Sequence, residues 1–223
     1  MQQISKGAFD FLLELKKNNN REWFTENKSR FKNIELDVKG FYEAVKSELE
    51  KHDKIEKLKM FRIYRDVRFS KDKTPYKPHF AGSFARLGAE LRGGYYMRIK
   101  PGETFLATGF WEPNKDDLFR VRKEWEQDTS ELESILGNKE FKMIWGDLKG
   151  DGVKTAPKGF DKEHPIIEFI RKKQFIFVRE FSDKEVLSEK FIEEVDKSFR
   201  AIRPFFDLMS DVLITNLNGE RLV

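Results

Sequence analysis

Residues 94–111 read GYYMRIKPGETFLATGFW, two runs of alternating character around Lys100-Pro101-Gly102-Glu103. Proline followed by glycine at the two central positions suits a type II turn, because proline presets φ and glycine accepts the positive φ of the next position. The spacing therefore predicts an antiparallel hairpin, with strands over Gly94–Lys100 and Thr104–Trp111. A chain committed to a hairpin in its middle cannot be an all-helical bundle.

Helical periodicity surrounds this hairpin. Ile4, Ala8, Phe11, Leu12 and Leu15 fall on one helical face. Asn19 with Glu22 has the spacing of a capping box, opening a long second helix. There Phe24, Phe31, Val38 and Val45 recur every seven residues, with Ile34 and Phe41 between them and Gly40 as a possible bend. Such a stripe suits a domain core better than a coiled coil, since its heptads are few and interrupted. A strand is expected over Phe61–Phe69. Phe61, Ile63, Arg65, Val67 and Phe69 would share one face, so Arg65 would be a lone charge among apolar side chains in need of an anion or carbonyls.

Downstream, Asn114 and Asp117 start a helix with Leu118, Val121 and Trp125. Short helices follow near Leu132–Leu136 and Phe141–Trp145. A Gly-rich loop spans 146–159, and Pro165 opens a helix with Ile166, Ile167, Phe169 and Ile170. Gln174–Phe181 reads as a strand with apolar residues on both faces, either central in the sheet or covered on both sides. Ser182 and Glu185 cap a helix with Leu187, Phe191, Ile192, Val195 and Phe199. Pro204 begins the last helix, expected to end near Gly219. The fold class is α+β, a central antiparallel or mixed sheet flanked by N-terminal and C-terminal helices, in a single domain over 1–223.

Composition excludes several functions. The 223 residues contain no Cys, which removes disulfides, thiol catalysis and Cys-ligated metals. The three His lie far apart and outside any metal-ligand spacing, so neither metal nor cofactor is expected. No run approaches the length of a membrane span, and no secretory leader is apparent. The expected compartment is the cytoplasm. A local excess of +7 between Arg62 and Lys100, within a chain of net charge +4, points to an anionic partner met at one place.

That place centres on RDVRFSKDKTPYK, residues 65–77. Arg65 and Arg68 offer forked donors for phosphate or carboxylate. Lys71, Lys73 and Lys77 add point charges, Ser70 and Tyr76 add hydroxyls, and Pro75 with Pro78 stiffens the loop. The plainer alternative is an internal clamp, in which these charges tie the loop to itself and to its neighbours. APKGFDKEHP is a second candidate. Lys158 and Asp161 would join the ligand wall and His164 would serve as acid or base, unless Asp161 or His164 simply caps the helix before Pro165. Asp66 is the other candidate for moving a proton. Gly109 would allow close backbone approach or a bulge. Tyr95, Tyr96, Phe110 and Trp111 divide between the core and a possible groove, where rings beside Arg98 and Lys100 would stack bases.

FDFLLELKKNNNREWF, RDVRFSKDKTPYK, YYMRIKPGETFLATGFWEP and APKGFDKEHP occur in this order over roughly Phe9–Ser198. The chain thereby resembles a bacterial family of uncharacterised proteins, catalogued as a domain of unknown function. The resemblance implies a single α+β cytoplasmic domain and carries no catalytic assignment. Three functions stay open. The first is binding, with possible turnover, of a small anionic and phosphorylated ligand. The second is a nucleic-acid-binding module, and the third a protein-interaction domain. A pocket would gather the cations around one cavity, whereas a nucleic-acid track would spread them with rings over an open face.

Overall fold

Ten helices and five strands follow one another in the computed structural model, which describes residues 3–216 and 219–222. Helices α1 (Lys6–Lys17), α2 (Arg21–Glu26) and α3 (Lys28–Leu49) precede β1 (Ile55–Met60), β2 (Phe80–Arg86), β3 (Gly94–Ile99) and β4 (Thr104–Phe110). Then come α4 (Lys115–Gln127), α5 (Ser130–Gly137), α6 (Lys139–Trp145), α7 (Ile167–Ile170) and β5 (Phe175–Phe181). The chain closes with α8 (Asp183–Val186), α9 (Phe191–Ala201) and α10 (Arg203–Ile214). The five strands form one antiparallel sheet in the order β1-β2-β3-β4-β5, flanked by N-terminal and C-terminal helices, an α+β fold. No helix of the described residues is long and apolar enough to cross a membrane.

The chain divides into two compact units. The first comprises Met1–Phe84, Tyr96–Leu106 and Glu180–Lys197. The second comprises Ala85–Tyr95, Ala107–Arg179 and Ser198–Val223.

In the first unit the predicted α1 face is buried throughout, from Ile4 to Leu15. Ser5 caps α1 by accepting from Ala8 N at 3.2 Å. The cap of α2 is Asn20, one residue later than expected: its Oδ1 accepts from Trp23 N at 2.9 Å. Asn19 is thereby released for another task, described below. The predicted long helix is two, parted at Asn27 and unbroken across Gly40. Phe31, Ile34, Val38, Phe41 and Val45 of α3 are buried as the stripe predicts. Phe41 stacks on Phe191 at 5.6 Å, and the buried Tyr42 hydroxyl donates to Met97 O at 3.0 Å.

The expected strand over 61–69 is not formed. Hydrogen bonding to β2 ends where Phe61 N donates to Ala81 O at 2.9 Å. The strand itself lies earlier, in β1, whose IEKLKM has apolar residues at uneven spacing. Strand β2 had no sequence signal either, since FAGSFAR is mostly small. Residues 61–69 are nonetheless extended in part. Ile63 is buried and Arg65 and Val67 are half-buried, while 62, 64, 66 and 68 face solvent. Phe61 and Phe69, assigned to the inner face, are exposed. Extended backbone ends where Asp66 Oδ1 accepts from the Arg68 N–H at 3.2 Å, an Asx turn.

The hairpin forms as predicted, with Glu103 N donating to Lys100 O at 2.9 Å and Gly102 at φ 75°.

In the second unit α4 starts at Asn114, whose Oδ1 accepts from Asp116 N and Asp117 N at 2.9 Å. Asp117 is buried between Arg92 at 2.6 Å and Arg120 at 3.1 Å. Gly109 sits where a Cβ would collide with the Phe175 carbonyl, the close approach its place in a strand suggested. Strand β5 lies last in the sheet order rather than centrally. Its inner residues Phe175 and Phe177 are buried, and Ile176 exchanges backbone hydrogen bonds with Lys149.

The helix over 182–199 is two, α8 with the expected Ser182–Glu185 capping box and α9. Proline occupies the first turn of α10, which stops at Ile214, short of the expected end near Gly219. Positions 217 and 218 lie outside the described residues.

Candidate functional site

The loop of residues 61–79 belongs entirely to the first unit. A short antiparallel pair forms its neck. Tyr64 bridges Tyr76, Arg65 N donates to Pro75 O and Lys77 N to Ile63 O, both at 2.8 Å. Asn19, just before α2, clamps the neck from outside. Its Oδ1 accepts from Tyr76 N at 3.1 Å and its Nδ2 donates to Tyr76 O at 3.0 Å. The Tyr76 ring lies stacked on Phe24 at 4.0 Å, so it serves packing.

Beyond the neck the loop satisfies its own charges. Arg65 Nη1 donates to Asp72 Oδ2 and Thr74 Oγ1, and its Nη2 to Ser70 Oγ at 3.3 Å. Arg68 pairs with Asp66 through Nε at 3.0 Å and Nη2 at 2.7 Å. Lys73 Nζ caps the carbonyls of Val67 at 3.0 Å and Arg68 at 3.4 Å, and Lys77 Nζ reaches Arg62 O at 3.2 Å. The Thr74 N–H, the Arg65 guanidinium and the Thr74 hydroxyl together hold the Asp72 carboxyl down at about 2. The adjacent Arg65 and Asp66 do not pair with each other; each turns to its own partner within the loop. Lys71 stands exposed, and Phe69 is 95% exposed beside the Arg68 guanidinium.

A second set of side chains gathers in the same unit. Phe61, Tyr96 and Phe105 form a row of rings, with centroids 6.2 and 5.7 Å apart. Arg98 lies over Phe105 at 4.3 Å and its Nη2 donates to Glu103 O at 3.2 Å. Lys100 pairs with Glu103 at 2.5 Å. Beside them sits the half-buried His79. Burial first, then the charges of Arg98, Lys77 and Lys100, lowers its pKa to about 4. Burial does most to hold this histidine neutral, and the three cations add to it, so the ring sits in a region of positive potential. The sequence held a partial signal for this set, Tyr96 alternating with Arg98 next to the turn. The position of His79 had none, because nothing local places residue 79 against residues 98 and 100.

Lys158, Asp161 and His164 belong to the second unit. Asp161 Oδ1 accepts from Glu163 N at 2.9 Å, and His164 Nδ1 accepts from Ile166 N at 3.4 Å. These are turn contacts leading into α7, close to the capping alternative, although the residue preceding α7 is Ile166. Lys158 is exposed. Among the described residues no three His, Asp or Glu side chains assemble as a metal site.

A family model described as "Conserved hypothetical protein (DUF2461)" matches residues 7–208. The chain belongs to this family. No curated protein and no solved structure matches it. The four quoted motifs of this DUF2461 member therefore take their meaning from its own geometry.

Proposed function

We propose that this protein binds single-stranded nucleic acid on the face built by residues 61–79 and the β3–β4 hairpin. The observation that carries the reading is the row Phe61–Tyr96–Phe105 with Arg98 laid over its end. Each base has a π-face, so a row of half-exposed rings accepts successive bases whatever their sequence, while cations alongside take the phosphates. Arg98 and Lys100, which share Glu103, supply that charge, and Lys77 adds to the field. The motif loop extends it with Arg68, Lys71 and the protruding Phe69. The cations first expected to grip a small ligand, Arg65, Arg68, Lys73 and Lys77, already have acceptors within their own loop. Their role in this reading is to hold the loop in shape and to give it a positive field. A cytoplasmic location accords with it, as does the lack of cysteine.

The test is fluorescence anisotropy with labelled oligothymidine and oligouridine at low and physiological salt. Binding that weakens steeply with salt, and that falls in Phe69→Ala and Lys100→Ala, is the expected result. No binding of either oligomer by the folded protein overturns the reading.

A second reading, a small phosphorylated ligand, is favoured by His79 specifically. Its neutral ring among Lys77, Arg98 and Lys100 would receive one anion. Mononucleotides or sugar phosphates binding as tightly as the oligomers would select it.

A further inference from the structure

In the second unit, residues 149–153 run antiparallel to 171–176. Lys149 bridges Ile176 and Gly152 bridges Lys172, with Val153 N donating to Arg171 O at 2.9 Å and Lys173 N to Asp151 O at 2.8 Å. Gly150 has φ 121°, and a Cβ there would strike the Gln174 carbonyl. A Cβ at Gly152 would come within 3.0 Å of the Arg171 carbonyl. Gly150 therefore needs glycine, Gly152 lies tight against the facing strand, and the two leave this stretch without side chains. Beside them lies a cavity of about 390 Å³, lined among others by Gly150, Gly152, Lys154, Glu168, Arg171 and Lys172.

Its charge is unbalanced, three cations against one carboxylate. Glu168 holds Arg171 Nη1 at 2.8 Å and so fixes the direction of the guanidinium. Arg171 Nε is buried and has no hydrogen-bond partner among the described residues. A buried donor without an acceptor costs about 1–3 kcal/mol in a folded protein, a cost that a bound acceptor would remove. The cations are not needed to neutralise the end of α7 either. Arg122 does so, donating from Nε to Ile170 O at 2.7 Å and from Nη2 to Lys172 O at 3.0 Å. The side chains of Lys154 and Lys172 make no ion pair among the described residues.

We infer that this cavity is a binding site for a small oxyanion, a phosphate or carboxylate group, gripped by Arg171 and flanked by Lys154 and Lys172. Arg171 supplies the oriented donor, which for a planar guanidinium is the stronger and more directional contact. The two lysines supply charge. The site is independent of the aromatic face, because none of its residues belongs to that unit.

Amide NMR of the whole chain tests it, with inorganic phosphate in one titration and malonate in another. Saturable shifts at Gly150, Gly152 and Arg171 are expected with at least one of the two, and the tighter names the group. Lys154→Ala combined with Lys172→Ala should weaken that binding about tenfold, the equivalent of ~1.4 kcal/mol. Arg171→Gln should weaken it at least as much. Because Arg171 also pairs with Glu168, the lysine variants keep the test open if Arg171→Gln fails to fold. Absence of saturable shifts with both anions, or an unchanged dissociation constant in the lysine variant, overturns the site.

Discussion

Asn19 holds the peptide of Tyr76 at both ends, accepting from its N–H at 3.1 Å and donating to its carbonyl at 3.0 Å. A residue between two helices thereby reads the backbone, not the side chain, of a loop 57 positions away. Asn19→Ala removes both bonds and leaves a partly buried peptide without them. The expected loss is about 1–2 kcal/mol of folding stability, seen in urea unfolding, with faster hydrogen exchange at the Tyr76 amide. Asn19→Asp keeps the acceptor and loses the donor, so it should fall between wild type and Asn19→Ala.

Asp72 should make the motif loop acid-sensitive. Its pKa is lowered to about 2 in the folded protein, against an ordinary value of 3.8. The contribution is therefore fully present above about pH 4 and is lost as pH falls through about 2. Amide exchange at Thr74, whose N–H donates to Asp72 Oδ1 at 2.9 Å, should quicken over that window. In Asp72→Asn the loop should be loosened already at neutral pH, and the acid step should vanish.

Phe69→Ala should leave stability within about 0.5 kcal/mol, since a ring so exposed has little packing to lose. Under the proposed function it should cost about 1–3 kcal/mol in oligonucleotide binding, the worth of one stacked base. A variant that unfolds more easily would show that Phe69 packs in solution. One that binds as wild type would remove the loop tip from the interface.

His79 offers a spectroscopic reporter. With its pKa lowered to about 4 it stays neutral through the range where an unfolded histidine gains a proton. Its contribution to stability is thus present above about pH 6.5 and diminishes as pH falls from there toward 4. An anion bound among Lys77, Arg98 and Lys100 would offset their charge and raise the His79 pKa. Ring-proton NMR titration with and without ligand should show that rise, and an unmoved titration would place the anion elsewhere.

Asp117→Ala should be the most damaging of these changes. Its carboxylate is buried between Arg92 and Arg120, and its removal takes the counter-charge from two half-buried guanidinium groups, of which Arg120 keeps the Leu213 carbonyl. The expected loss is about 3–5 kcal/mol, measured by chemical denaturation.

What the sequence disclosed depended on the range of the forces involved. The Lys100–Glu103 turn, the caps at Ser182 and Asn114 and the buried stripe from Ile4 to Leu15 are set by neighbours within a few residues, and they were legible. Strands β1 and β2 were not, because IEKLKM and FAGSFAR owe their conformation to the partners they pair with. Residues 61–69 misled for a related reason. Their inner and outer alternation is real from Ile63 to Arg68, but the Asp66 turn and the reach of Arg65 to Asp72 and Thr74 replace sheet pairing. In the candidate site, the composition of RDVRFSKDKTPYK signalled charge correctly, yet which cation meets which acceptor is decided by folding of the loop. His79 beside Arg98 and Lys100 joins segments that no local pattern connects.

Since Arg65, Asp72 and Thr74 settle the shape of the motif loop among themselves, its outermost positions are relieved of structural duty. Residues 69 and 71 can change identity while the scaffold beneath them persists. Under the proposed function, altered partner preference would therefore arise first at those two positions, by exchange of a side chain and without remodelling of the backbone.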